Sequence, residues 1–168
     1  VTSGQSKVYG MSDPDLDFET TGLINDADLT GKLSRQLGEV VDTYPIDQGS
    51  LDAGSNYEIS FTGDTFAITT KTLTVTADAV SKTYGSDDPE FTYSAPELES
   101  GDSLTGVLDR AAGDDVGTYA IGQGTLDNSN YDITFNSADL TIDAKTLTVT
   151  AAAVSKTYGS DDPEFTYS

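Results

Sequence analysis

Residues 71–94 read KTLTVTADAVSKTYGSDDPEFTYS, and residues 145–168 return the same 24 letters with a single change, Asp78 to Ala152. The opening KTLTVT places Leu73 and Val75 on one face and Thr72, Thr74 and Thr76 on the other. That period-two alternation belongs to a strand with one side in a core and one in water. The residues are β-branched or apolar, types that suit a pleated, half-buried surface. Tyr84-Gly85-Ser86-Asp87-Asp88-Pro89 then breaks the pattern with turn formers, and Phe91 and Tyr93 resume it.

The repetition extends outward. An older copy of the same stretch lies near the start, where Lys7-Val8-Tyr9-Gly10 and Asp13-Pro14 answer Lys82-Thr83-Tyr84-Gly85 and Asp88-Pro89. Between these copies, Leu29-Thr30-Gly31, Leu33, Arg35, Gly38 and Thr43-Tyr44 correspond to Leu104-Thr105-Gly106, Leu108, Arg110, Gly113 and Thr118-Tyr119. A unit of about 74 residues therefore recurs, and recurrence of this kind decides architecture before any single motif does. The chain reads as leading segment, body, leading segment, body, leading segment, ending in mid-pattern as a fragment of something longer. One phasing gives repeats at 1–74 and 75–148 with 149–168 beginning a third. The other gives 20–94 and 95–168 with an N-terminal segment 1–19. In either phase the surplus leading segment is expected to pack on its neighbouring unit or to be held by a neighbouring molecule.

Each body carries further alternating runs: Tyr57, Ile59 and Phe61; Phe66 and Ile68; Tyr119 and Ile121; Tyr131, Ile133 and Phe135; Leu140 and Ile142. About six short strands per unit separated by Gly, Asp, Asn and Pro turns predict an all-β fold, a sandwich in each unit. Only residues 102–108 and their counterparts 28–33 have a pattern compatible with a helical turn. Asp115-Val116-Gly117-Thr118-Tyr119 has the Asp-x-Gly-x-Tyr form of a tyrosine corner, a feature of immunoglobulin-like sandwiches, whereas the first copy has Asp42 where Gly117 stands.

Composition closes off many activities. Lys and Arg number 8 against 29 Asp and Glu, a net charge of −21. Duplex binding needs clustered cations to neutralise phosphates, so nucleic acid is not an expected partner, and direct contact with anionic membranes is disfavoured likewise. With no Cys and no His, thiol and imidazole catalysis, disulfides and sulfur- or imidazole-based zinc sites are absent.

In combination, these motifs resemble the MBG family of bacterial surface-protein repeats. The resemblance rests on Lys82-Thr83-Tyr84-Gly85 with its Asp-Pro and aromatic strand, and on residues 101–106 with Leu108 and Arg110. Val116-Gly117-Thr118-Tyr119-Ala120-Ile121, and Asn130 to Phe135 leading into Leu140-Thr141-Ile142, complete it. It covers essentially the whole chain and implies tandem immunoglobulin-like β-sandwich modules in a rod-like array. The implied function is a non-enzymatic extender of a large secreted adhesin at the bacterial cell surface, projecting a terminal binding domain. Neighbouring repeats of the same chain are the implied partners, and a monomer is the expected state.

No cofactor is required by this reading. The acidic turns have the one pattern with metal-ligand character: Asp13, Asp15 and Asp17 alternate across Pro14, and Asp87-Asp88 recurs as Asp161-Asp162. Such groups supply the oxygens that Ca²⁺ takes, six to eight at about 2.3–2.6 Å, and an ion between repeats would stiffen the joint. The plainer reading is that Asp before Pro starts a turn and that surface carboxylates keep the chain soluble. Arg35 and Arg110 are expected to pair with carboxylates of their own unit. Two other functions are compatible with the letters. Exposed tyrosines such as Tyr84 and Tyr158, or the Thr72, Thr74, Thr76 row, would serve a carbohydrate- or surface-binding module; paired carboxylates would serve a glycoside hydrolase, although no pair stands out.

Overall fold

The computed structural model describes residues 4–24 and 29–167, and these are all strand, turn and irregular chain with no helix. The eleven strands run β1 (Ser6–Val8), β2 (Ser34–Arg35), β3 (Asp42–Asp47), β4 (Thr65–Thr69), β5 (Lys71–Ala77), β6 (Val80–Thr83), β7 (Tyr93–Ser94), β8 (Asp109–Arg110), β9 (Gly117–Gly122), β10 (Tyr131–Asn136) and β11 (Ala138–Asp143). They form three sheets in the orders β1-β4-β3-β2, β10-β5-β7 and β6-β11-β9-β8. The first sheet draws only on residues before Thr70 and the other two only on residues after it.

Parallel and antiparallel pairing are mixed in the same way in both halves. β1 lies parallel to β4 with Lys7 opposite Ile68, and β6 lies parallel to β11 with Lys82 opposite Ile142. β3–β4 and β9–β11 are antiparallel. The KTLTVT strand β5 lies parallel to β10, from Tyr131 opposite Lys71 to Asn136 opposite Thr76. Its alternation is realised as expected, with Leu73, Val75 and Ala77 buried and the threonines exposed.

Two cores result. Leu33, Tyr44, Ile46, Leu51, Phe66 and Ile68 form one. Leu73, Val75 and Ala77 from one sheet, Ile121, Leu140 and Ile142 from another, with Leu108, Leu126 and Tyr131, form the second. Burial of such side chains stabilises each by about 1.5–3 kcal/mol relative to exposure, which is how a chain this rich in charge sustains two small interiors.

Two expectations need correction. Residues 57–62 alternate like β10 but form no ladder among the described residues. A strand is not stable without hydrogen-bonded neighbours, and the pattern alone does not supply them. The 102–108 stretch is no helix: Thr105 bridges Asp127, as Thr30 bridges Asp52 in the first copy. Asp28, at the start of the first-copy stretch, lies outside the described residues. Residues 145–167 do not pack on the second core, which leaves the two alternatives for a surplus leading segment as they stood. Leu147 is 86% exposed and Tyr158 fully so, because a leading segment carries only one side of a core and needs a body to bury it.

The tyrosine corner forms in both copies. Tyr119 Oη donates to the Asp115 carbonyl at 2.9 Å and Tyr44 Oη to the Val40 carbonyl at 2.9 Å. The Asp42 departure is harmless because the glycine that matters lies earlier. A Cβ at Gly38 or Gly113 would overlap the Tyr44 or Tyr119 ring, whereas one at Gly117 would meet its ring at 3.9 Å.

Candidate functional site

Two constellations of polar side chains stand out, one inside each half and one between them. The first begins with the acidic turn. The ladder between β1 and β4 holds Lys7, which is buried, and the turn after β1 brings Asp13 back over it. Lys7 Nζ lies 2.7 Å from Asp13 Oδ1 and also pairs with Glu39. Arg35, on β2, approaches from the other side: its Nε is 2.7 Å from Asp13 Oδ2 and its Nη2 is 2.6 Å from Glu39 Oε1. Arg35 Nη1 donates to the carbonyls of Gln36 and Gly38, and the guanidinium stacks 5.1 Å from the Tyr44 ring centroid. The corner tyrosine, its glycine, the arginine and the acidic turn thus make one knot.

The second half repeats it. Arg110 Nε is 2.6 Å from Asp88 Oδ2, its Nη2 is 2.9 Å from Asp114 Oδ1, and Lys82 Nζ is 2.5 Å from Asp88 Oδ1. Arg110 donates to the carbonyls of Ala111 and Gly113 and lies over the Tyr119 ring. The Arg35 and Arg110 guanidiniums hold the carboxyls of Asp13 and Asp88 down to about 2, with Lys7 and Lys82 adding to the effect. Lys7 is raised: burial alone would lower it, but its hydrogen bonds to Asp13 and Glu39 outweigh that cost. Leaving a buried cation without its carboxylate costs several kcal/mol, so the knot fixes the turn on the body.

These contacts use up much of the acidic pattern. Asp13 and Asp88 spend both oxygens on cations. Asp15 pairs with Lys32 at 2.7 Å, which lowers its carboxyl. The backbone of Asp17 is hydrogen-bonded by Gln5, while Asp162 pairs with Lys156. Asp87 and Asp161 are exposed on their turns. Among the described residues no three acidic side chains converge as metal ligands would. The spacing in sequence spreads the carboxylates along extended chain instead of folding them round a point.

The second constellation joins the halves, and no motif in the letters announces it. Tyr9 sits on the turn after β1 and packs against both cores. Its Oη donates to Asp102 Oδ2 at 2.9 Å, and Tyr131 Oη donates to the same oxygen at 2.7 Å. The two rings meet edge to face with centroids 5.6 Å apart. Tyr131 Oη in turn accepts the Glu99 N–H at 2.9 Å. Buried Asn130 extends the joint: its Oδ1 accepts the Val41 N–H at 3.1 Å and its carbonyl accepts the Lys71 N–H at 3.0 Å. Burial and the Asp102 hydrogen bond push the Tyr9 phenol up to about 12. The connection itself is Thr70 alone, between β4 and β5.

The counterparts of Tyr9 differ in setting. Tyr84 is 47% exposed and Tyr158 is fully exposed; neither has a following body described against it. At Tyr9 the Tyr-Gly step is where the second body lies against the first.

No curated protein and no solved structure matches the chain. The family model for the MBG domain (YGX type) matches twice, over residues 1–67 and 73–141. With two such domains side by side, the chain belongs to the MBG domain family.

Proposed function

We propose that the chain is a tandem array of immunoglobulin-like β-sandwich modules that serves as an extender in a secreted bacterial surface adhesin, with no catalytic activity of its own. The observation that carries this reading is the joint: one connecting residue, Thr70, flanked by the Tyr9–Asp102–Tyr131 contacts and by Asn130. A linker of one residue has almost no conformational freedom to lose, and a joint with its own part-buried hydrogen bonds holds consecutive modules at a set angle. In this reading a module runs from its KTLTVT strand through the following body, with the boundary at Thr70–Lys71, because one at 74/75 would cut β5.

The carboxylates argue against hydrolytic chemistry. A glycosidase needs one carboxyl raised to act as an acid, whereas Asp13, Asp15, Glu39 and Asp88 are all held below their ordinary values. The test is small-angle scattering on chains carrying two, four and six modules. A module of this length has a diameter of roughly 30 Å, and the maximum dimension is expected to rise by about that much per module. A profile that stays compact as modules are added would refute the reading.

A further inference from the structure

The joint between the halves holds the one pair of aromatic rings in contact among the described residues. Tyr9 comes from the first half and Tyr131 from the second, and their rings meet edge to face with 5.6 Å between centroids. Both hydroxyls donate to a single atom, Asp102 Oδ2, at 2.9 and 2.7 Å. Two phenol oxygens held on one acceptor bring together the ring carbons ortho to them, the positions at which phenoxyl radicals couple. The joint fixes that approach in advance, so a reaction there needs little further ordering.

Composition directs one-electron oxidation to tyrosine. The chain has no Cys, Trp or His and a single Met against nine Tyr, so the phenols are its readiest one-electron donors. The other tyrosines are placed differently. Tyr44 and Tyr119 donate to backbone carbonyls of their own corners, and Tyr84, Tyr158 and Tyr167 are exposed with no ring against them. Tyr9 is partly exposed, so an oxidant in solution reaches it, and buried Tyr131 can pass an electron out through the ring contact. Asp102 is partly exposed too. Its carboxylate, already on both phenol hydrogens, is a base within reach of the protons that must leave.

We propose that Tyr9 and Tyr131 are a covalent modification site, a dityrosine bond across the joint made by hydrogen peroxide acting through a one-electron peroxidase. One electron leaves each phenol for the oxidant, and each proton passes to Asp102 and from there to water. The two phenoxyl radicals join through a carbon–carbon bond between ortho positions, and the two ortho hydrogens move to the oxygens, restoring both phenols. The protein loses two hydrogen atoms in all, and one hydrogen peroxide takes up the two electrons and two protons to give two waters. The bond closes a loop from residue 9 to residue 131 and constrains the unfolded chain as a disulfide does. A net charge of −21 keeps separate chains apart, which favours this bond over bonds between chains. The inference stands on the joint alone and does not need the extender role.

Hydrogen peroxide with a heme peroxidase, applied to the full chain in dilute solution, tests it. The intact mass is expected to fall by two hydrogens. A tryptic digest is expected to contain residues 8–32 joined to residues 111–145 through Tyr9 and Tyr131. Oxidation of exposed Met11 adds an oxygen atom and is told apart by mass. The cross-linked chain is expected to melt at a higher temperature. Tyr9→Phe, which keeps the ring, is expected to lose the joined peptides, and Asp102→Asn to slow their formation. In concentrated urea, where the joint is undone, the parent is expected to couple without preference for this pair. A folded parent that yields no peptide joined through Tyr9 and Tyr131, or that joins Tyr9 to Tyr84 or Tyr158 as readily, overturns the proposal.

Discussion

Leu73 and Leu147 occupy the same place in the identical heptapeptide KTLTVTA, but one is 4% exposed and the other 86%. Truncating each to Ala therefore compares burial with everything local held constant: strand propensity, neighbours in sequence and unfolded-state behaviour cancel. Leu73 contacts the core shared by Val75, Ile121, Leu140 and Ile142. Leu73→Ala loses the transfer free energy of the deleted carbons and leaves a cavity between two sheets, about 2–5 kcal/mol in sum. Leu147→Ala removes atoms that water already covers, and its cost is within about 0.5 kcal/mol. For a module of this size 1 kcal/mol moves the melting temperature by roughly 4–8 °C, so a loss of about 2.5 kcal/mol at Leu73 lowers Tm by about 10–20 °C. The assay is calorimetry with near-ultraviolet dichroism. Equal losses at the two sites would refute the assignment of 71–77 to a core and 145–151 to solvent.

Three further outcomes are expected. Gly113→Ala, at a φ of 143° and against the Tyr119 ring, is expected to destabilise by about 2–4 kcal/mol through strain and overpacking, while Gly117→Ala changes urea midpoints little. For Tyr9 the folded phenol is raised to about 12 from 10.0, so its contribution is full below pH 10 and is lost as pH rises towards 12; Tyr9→Phe is expected to remove that slope from alkaline melts. The Asp13 and Asp88 carboxyls are lowered from 3.8 to about 2, so the stability they bring is present above pH 3.8 and is lost as pH falls through about 2. Asp13→Asn with Asp88→Asn flattens that acid limb, and melting is the same in calcium as in chelator.

The legible parts of the fold were those in which side-chain alternation and its neighbours lie close in sequence. KTLTVT, Phe66-Ile68 and Leu140-Ile142 announce their buried faces, and both arginines found the carboxylates of their own half. Residues 57–62 have the same alternation as β10 and form no ladder, because strand formation depends on a partner as well as on pattern. Spacing alone does not say that Lys7 and Arg35 reach Asp13. The contact between Tyr9 and Asp102 spans 93 residues, and nothing in the letters around Tyr9 separates it from Tyr84 or Tyr158.

The parallel pairing of β6 with β11, from Leu140 opposite Val80 to Asp143 opposite Thr83, has a mechanical consequence. Tension entering at Thr70 reaches β5 first, whose parallel ladder with β10 it shears, and beyond β5 it pulls β6 and β11 lengthwise past each other. The evenly spaced rungs of a parallel ladder then bear the load together and must rupture together, whereas a hairpin tugged at its open end peels one rung at a time. Each half is thus clamped by shear against the direction in which a tethered chain would be stretched.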